Sequence, residues 1–233
     1  DGGYIIAGHT ESNDGDITDG NNGSRDCWVV KLDSSGNKVW DKTFGGTEDD
    51  QAKSIQQTWD GGFIVGGINK SNNGDITDGN NGDSDFWIVK LDIEGNKVWD
   101  KSLGGANWEE LYSIQQTFDG NYIIAGLTQS NDGNVSDGNN GASDYWILKL
   151  EESPNSLDSL YILSLNNNGS LNNKSTIVPE VTGFDYSGQR GTGFGGFGSG
   201  LVNMGDMDGN GTDDFIVSSP QEKLNDSTTG AFF

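Results

Sequence analysis

Apolar and polar positions alternate in short runs along the first part of this chain, and the runs recur. From Trp28 to Gly46 the sequence reads Trp-Val-Val-Lys-Leu-Asp-Ser-Ser-Gly-Asn-Lys-Val-Trp-Asp-Lys-Thr-Phe-Gly-Gly. Trp87 to Gly105 repeats it almost letter for letter, and Trp146 to Leu150 repeats its opening. Trp28, Trp87 and Trp146 stand 59 residues apart. In both full copies two runs rich in β-branched and aromatic residues flank a turn, Ser-Ser-Gly-Asn or Ile-Glu-Gly-Asn. That pattern predicts a hairpin, with Gly36 and Gly95 free to take positive φ. No stretch keeps a helical period; the one candidate, Trp108 to Tyr112, is too short.

The unit from Asp60 to Phe118 shows the full grammar, and Asp1, Asp60 and Asp119 open successive units. A first hairpin is expected over Ser54 to Ile68, around the tight turn Asp60-Gly61-Gly62. A polar loop, Asn69 to Ser84, follows. Asp85 to Asp92 and Lys97 to Leu103 then form a second hairpin. Four short strands per 59 residues, joined as a meander, predict an all-β fold of β-propeller blades. Residues 1–150 hold about two and a half such blades, fewer than a closed propeller needs, so the chain reads as a fragment of one or two propellers. Trp28, Trp87, Trp146, Trp40 and Trp99 are the expected locks between blades, because each buries on the order of 200 Å². Around Glu151 to Ser159 the pattern breaks into a linker, and residues 160–233 read as a separate unit.

Composition narrows the function classes. Thirty-six acids against 13 bases leave a formal charge of −23 in 233 residues. Such a surface repels nucleic acid and anionic membranes. No apolar run is long enough to span a bilayer, so membrane insertion is not expected. The chain begins without Met and ends inside a strand-like run, which reads as a piece of a longer protein. Cys27 occupies the place of Phe86 and Tyr145 in the other copies, and His9 that of Ile68 and Leu127. Both therefore read as structural. A nucleophilic triad would need His9, the one histidine, and the unique polar residues His9, Arg25 and Arg190 form no recognisable catalytic set.

The repeats resemble those of large secreted bacterial proteins, often of the type IX secretion class, which are built as β-propellers. Ser-Ile-Gln-Gln-Thr (54–58 and 113–117), Asp-Gly-Gly-Tyr-Ile-Ile-Ala-Gly (1–8) and Trp-Val-Val-Lys-Leu-Asp-Ser-Ser-Gly-Asn (28–37) carry the resemblance. It implies export to the extracellular space or the bacterial cell surface. The hairpin is also similar to quinoprotein blades, a family that implies a quinone cofactor and alcohol oxidation. The 59-residue period is longer than that family's usual blade, and no cofactor pocket is recognisable.

Asp206-Met207-Asp208-Gly209-Asn210-Gly211-Thr212-Asp213-Asp214 carries the sharpest chemical signal. Asp206, Asp208, Asn210 and Asp214 place side-chain oxygens at loop positions one, three, five and nine. The Thr212 carbonyl can fill position seven, and Gly211 permits the bend. Those are the ligand rules of calcium loops, and they predict bound Ca²⁺. Without His or Cys the set does not suit zinc or copper. With Phe197-Gly198 before it and Ser218-Ser219-Pro220 after it, the segment resembles the FG-GAP repeat of integrin α-subunit propellers and related bacterial proteins. Only the proline of the usual Gly-Ala-Pro is kept, and Asn210 stands where Asp is more common. The resemblance implies a propeller fold, calcium in the loop, and adhesion or ligand binding.

Three further loops, at 13–26, 72–85 and 131–144, repeat Asp and Asn at matching places. They suit either a second class of calcium loop or a polar loop held by Asx turns. Two functions follow. The first is a noncatalytic secreted or surface propeller that binds an extracellular protein or glycan, with calcium as a structural ligand. The second is the propeller scaffold of a secreted enzyme, a polysaccharide-active hydrolase or lyase or a quinoprotein-like oxidoreductase. Abundant Asp leaves carboxylate pairs available for the second.

Overall fold

A computed structural model describes residues 2–135, 139 and 142–152, and beyond them the backbone of five further strands. The fold is all-β and contains no helix among the described residues. β1 (Tyr4–Thr10), β2 (Asp26–Leu32) and β3 (Lys38–Phe44) form one antiparallel sheet. β4 (Asp50–Gln57), β5 (Phe63–Asn69), β6 (Asp85–Leu91) and β7 (Lys97–Leu103) form the second, in meander order. β8 (Glu109–Gln116), β9 (Tyr122–Thr128), β10 (Asp144–Leu150), β11 (Leu160–Leu165) and β12 (Leu171–Ile177) form the third. β13 (Gly200–Gly205), β14 (Asp214–Ser219) and β15 (Ala231–Phe232) form a fourth. The second sheet realises the predicted four-stranded blade. Its first strand begins at Asp50, earlier than the alternation alone indicates, and Trp108 to Tyr112 leads into a strand. β11 pairs with β10 in the place that β7 takes beside β6. The linker expected at 151–159 lies outside the described residues from 153 onward.

The hairpin turns follow from their glycines. Gly36 and Gly95 sit at φ 84° and 82°. The Asp33 carboxylate accepts from the Asn37 backbone N–H at 2.9 Å, and the Asp92 carboxylate from that of Asn96 at 2.7 Å. Both turns thus have the left-handed glycine and the Asx clasp that their sequences call for.

Two apolar layers hold the sheets together. Every residue of β5 and β6 is buried, because the second sheet has a neighbour on each face. Alternate side chains serve opposite layers, as strand geometry requires. Phe63, Val65, Trp87, Val89 and Leu91 join Cys27, Val29 and Phe44 of the first sheet. Ile64, Phe86 and Ile88 join Leu111, Ile114, Tyr122, Ile124, Trp146 and Leu148 of the third. The tryptophans lie where the repeat predicts. Trp146 packs on Phe86 with centroids 4.8 Å apart, Trp40 meets Phe63 edge-on at 5.9 Å, and Trp99 meets Tyr122 at 6.1 Å. Fully burying one such ring contributes on the order of 5 kcal/mol at about 25 cal/mol per Å².

Cys27 is buried, and burial pushes its thiol well above the usual range, so it packs as a small apolar side chain. His9 differs from the expectation that it takes a core place like Ile68. It is exposed, because β1 is an edge of its sheet while β5 lies between β4 and β6.

Candidate functional site

The Asp/Asn-rich loops make internal hydrogen bonds that recur from unit to unit. Asn13, Asn72 and Asn131 each accept, through the side-chain oxygen, from the backbone N–H eight residues on, at Asn21, Asn80 and Asn139. The side-chain amides of those three residues reach back to Thr10, Asn69 and Thr128 carbonyls. Thr18 and Thr77 fasten the loops to the strands through Asp41 and Asp100. Burial alone would raise Asp41. Hydrogen bonds from Thr18, Lys38 and Trp28 outweigh it and hold the carboxyl well below the usual range. These contacts clasp each loop through its own asparagines, and Asn21 and Asn80 add Asx turns by accepting from the Gly23 and Gly82 N–H groups. Among the described residues, no group of three or more His, Cys, Asp or Glu is placed to hold a metal ion.

A second recurring set joins one sheet to the next. Asp50, at the start of β4, is fully buried and accepts from the Gly46 N–H at 2.7 Å, the Lys70 N–H at 3.0 Å, the Ser71 N–H at 3.2 Å and the Ser71 hydroxyl at 2.6 Å. Glu109, its counterpart in β8, accepts from the Gly105 N–H at 2.8 Å, the Thr128 hydroxyl at 2.7 Å and the Gln129 N–H at 3.3 Å. Asp75 and Asn134 complete the two sets by accepting from Gly45 and Gly104 N–H groups, each at 3.1 Å. Asp26 and Asp85 face the same places. Asp26 Oδ1 and Asp50 Oδ2 both lie within 3.0 Å of the point where a Cβ on Gly45 would sit, and Asp85 Oδ1 and Glu109 Oε2 crowd the same point on Gly104. Only glycine fits there.

Asp26 Oδ1 and Asp85 Oδ1 are buried and accept no hydrogen bond. Burial raises both carboxyls, and the neighbouring carboxylates, Asp50 and Asp75 for Asp26 and Glu109 for Asp85, raise them further. Asp85 is pushed up to about 7. Protonation of Asp85 removes the like-charge repulsion from Glu109.

A third recurring set lies at the strand turns. Asp60 accepts from the Thr58 hydroxyl at 2.5 Å, the Gly62 N–H at 3.0 Å and Lys90 Nζ at 2.7 Å. Asp119 takes the same partners, Thr117, the Asn121 N–H and Lys149. Burial would raise both acids; the lysines and the turn donors outweigh it and hold each at about 2. Each clamp carries an outward aromatic residue. Trp59 is 63% exposed and Phe118 65%, with ring centroids 6.2 Å apart and planes inclined at 55°. The side chain of Gln116 ties the two turns together: its Oε1 accepts from the Trp59 N–H at 2.9 Å and its Nε2 donates to the Gly120 carbonyl at 2.9 Å.

The sequence-predicted calcium loop lies elsewhere. Asp206, Asp208, Asn210 and Thr212 fall outside the described residues. The strands that flank them are described: β13 and β14 pair antiparallel, with Gly205 opposite Asp214. That pairing brings the two ends of the loop together, which suits a closed cation loop. Sequence reasoning passed over Trp59 and Phe118 in favour of the strand tryptophans. The available signal was their identical place in two units, directly before Asp-Gly. No family model matches the chain, and no curated protein matches it.

Proposed function

We propose that this chain is a noncatalytic part of a secreted or cell-surface β-propeller, that its FG-GAP-like segment binds calcium, and that its role is adhesion or the binding of a protein or glycan ligand. One observation carries the reading. Asp50, Asp100 and Glu109, buried acids that recur in the repeats, are engaged with backbone N–H groups and a threonine hydroxyl of the scaffold. A general acid or nucleophile needs a carboxyl group open to substrate. The described side of the molecule offers exposed aromatic surface instead. The resemblance to secreted propeller repeats supports an extracellular or bacterial-surface location, and among the described residues no helix is long and apolar enough to cross a membrane.

The test is a screen of residues 1–233, with calcium present, against a panel of polysaccharides and peptides. Both retention and product release are read. Retention without product supports the reading. Turnover that a single carboxylate substitution abolishes would overturn it in favour of an enzyme scaffold.

A further inference from the structure

We propose that Trp59 and Phe118 form a carbohydrate-binding platform for a neutral polysaccharide. The inference rests on the noncatalytic binding role and names the ligand class at one place on the surface. Exposed apolar side chains scattered singly need no explanation. These two are in contact, occupy the same position in successive units, and each leaves more than half of its surface to solvent. Inclined at 55°, the rings make an open angle, and their apolar faces suit the C–H face of a pyranose.

The platform is held rigid. Each ring sits on a turn closed by a Thr–Asp–Lys clamp, and Lys90, only 2% exposed, anchors the first from beneath. Gln116 fixes the spacing between the turns by bonding to both. A surface ordered before binding loses little entropy on binding. Asp60 and Asp119, next in sequence to the rings, keep about half of their side-chain surface exposed and offer oxygens to sugar hydroxyls.

Size and charge select the occupant. Two rings exposed to this degree present roughly 250 Å² of apolar surface, against about 800 Å² per partner in an ordinary protein interface. Ile93, exposed and within 3.7 Å of where a Gly61 side chain would begin, extends the patch only slightly. A sugar ring fits that area; a protein partner would need several times more. The net charge of −23 disfavours anionic polymers, and the acids beside the rings, Asp60 and Asp119, are already paired with Lys90 and Lys149, which favours a neutral polymer over a cationic one.

The experiment is affinity electrophoresis of residues 1–233 in gels that contain a soluble neutral β-glucan, a galactomannan or, as an anionic control, polygalacturonate. The native protein and the variants Trp59→Ala, Phe118→Ala and Val39→Ala are compared, with melting curves recorded for each. Retardation by a neutral polymer, at least tenfold weaker in Trp59→Ala and in Phe118→Ala and unchanged in Val39→Ala, with melting unaltered, is the expected result. Retardation that survives both aromatic substitutions would overturn the platform. So would no retardation of the native protein in any neutral gel, or retardation by polygalacturonate alone. None of those three outcomes touches the noncatalytic reading, which falls only if product is released.

Discussion

Asp85 shows how a single buried carboxyl can set the pH response of a sheet junction. Its folded pKa of about 7 lies above the unfolded value near 3.8. The native state therefore binds more protons than the unfolded chain between those pH values. The stability that goes with the neutral, buried carboxyl is complete below about pH 4 and is lost as pH rises through 7. Above that, ionised Asp85 costs the fold on the order of a few kcal/mol. Asp85→Asn keeps the side chain neutral at every pH. Its melting temperature is expected to match the native protein near pH 4 and to exceed it by several degrees at pH 8, as read by circular dichroism across that range. At the acid end the sign reverses. Asp60 and Asp119, held at about 2, contribute stability that is present above pH 4 and lost as pH falls through 2. Little of this was legible in the sequence. Asp26 and Asp85 are plain repeats there, and only the fold reveals that the first strand of the next sheet sets a second carboxylate beside each.

At the scale of elements, one glycine position shows how context decides what a repeat means. Gly8, Gly67 and Gly126 hold the same place in β1, β5 and β9. A Cβ on Gly67 would overlap the Gln51 carbonyl of the paired strand, and one on Gly126 the Glu110 carbonyl, whereas one on Gly8 would meet nothing within 4 Å. The overlaps occur beside the bulges in β4 and β8, where the register shifts between Ala52 and Ser54 and between Leu111 and Ser113. Gly67→Ala and Gly126→Ala are each expected to destabilise by about 1–3 kcal/mol or more in urea denaturation. Gly8→Ala is expected to be close to neutral. The strands themselves were legible: alternation and the Gly-Asn turn placed β6 and β7 within a residue. The bulges were not, because a register shift depends on the partner strand and leaves no local mark.

Across the whole molecule, the repeats build sheets that pack face to face, and junction carboxylates pin the loops between them. The proposed calcium loop, 206–214, stands apart from that scaffold in sequence. Its four oxygen side chains at alternate places predict saturable Ca²⁺ binding by the 1–233 chain in calorimetry, with a rise in melting temperature that Asp208→Ala removes. No response at millimolar calcium would reduce the loop to an Asx turn. Sequence reading can propose such a loop because its ligand pattern is local. It could not place Trp59 beside Phe118, whose contact depends on how one unit stacks on the next.

The buried acids at the sheet junctions hold neighbouring sheets together, and substitution of Asp50 probes that role. Asp50→Ala leaves the Gly46, Lys70 and Ser71 donors without their buried acceptor. The loss should be about 3 kcal/mol or more, or a fall in melting temperature of roughly 6–12 °C for a chain of this size. Asp50→Asn, which keeps an acceptor oxygen, should lose less. A melting curve for Asp50→Ala that superimposes on the native one would contradict the account, for the acid would then hold nothing together.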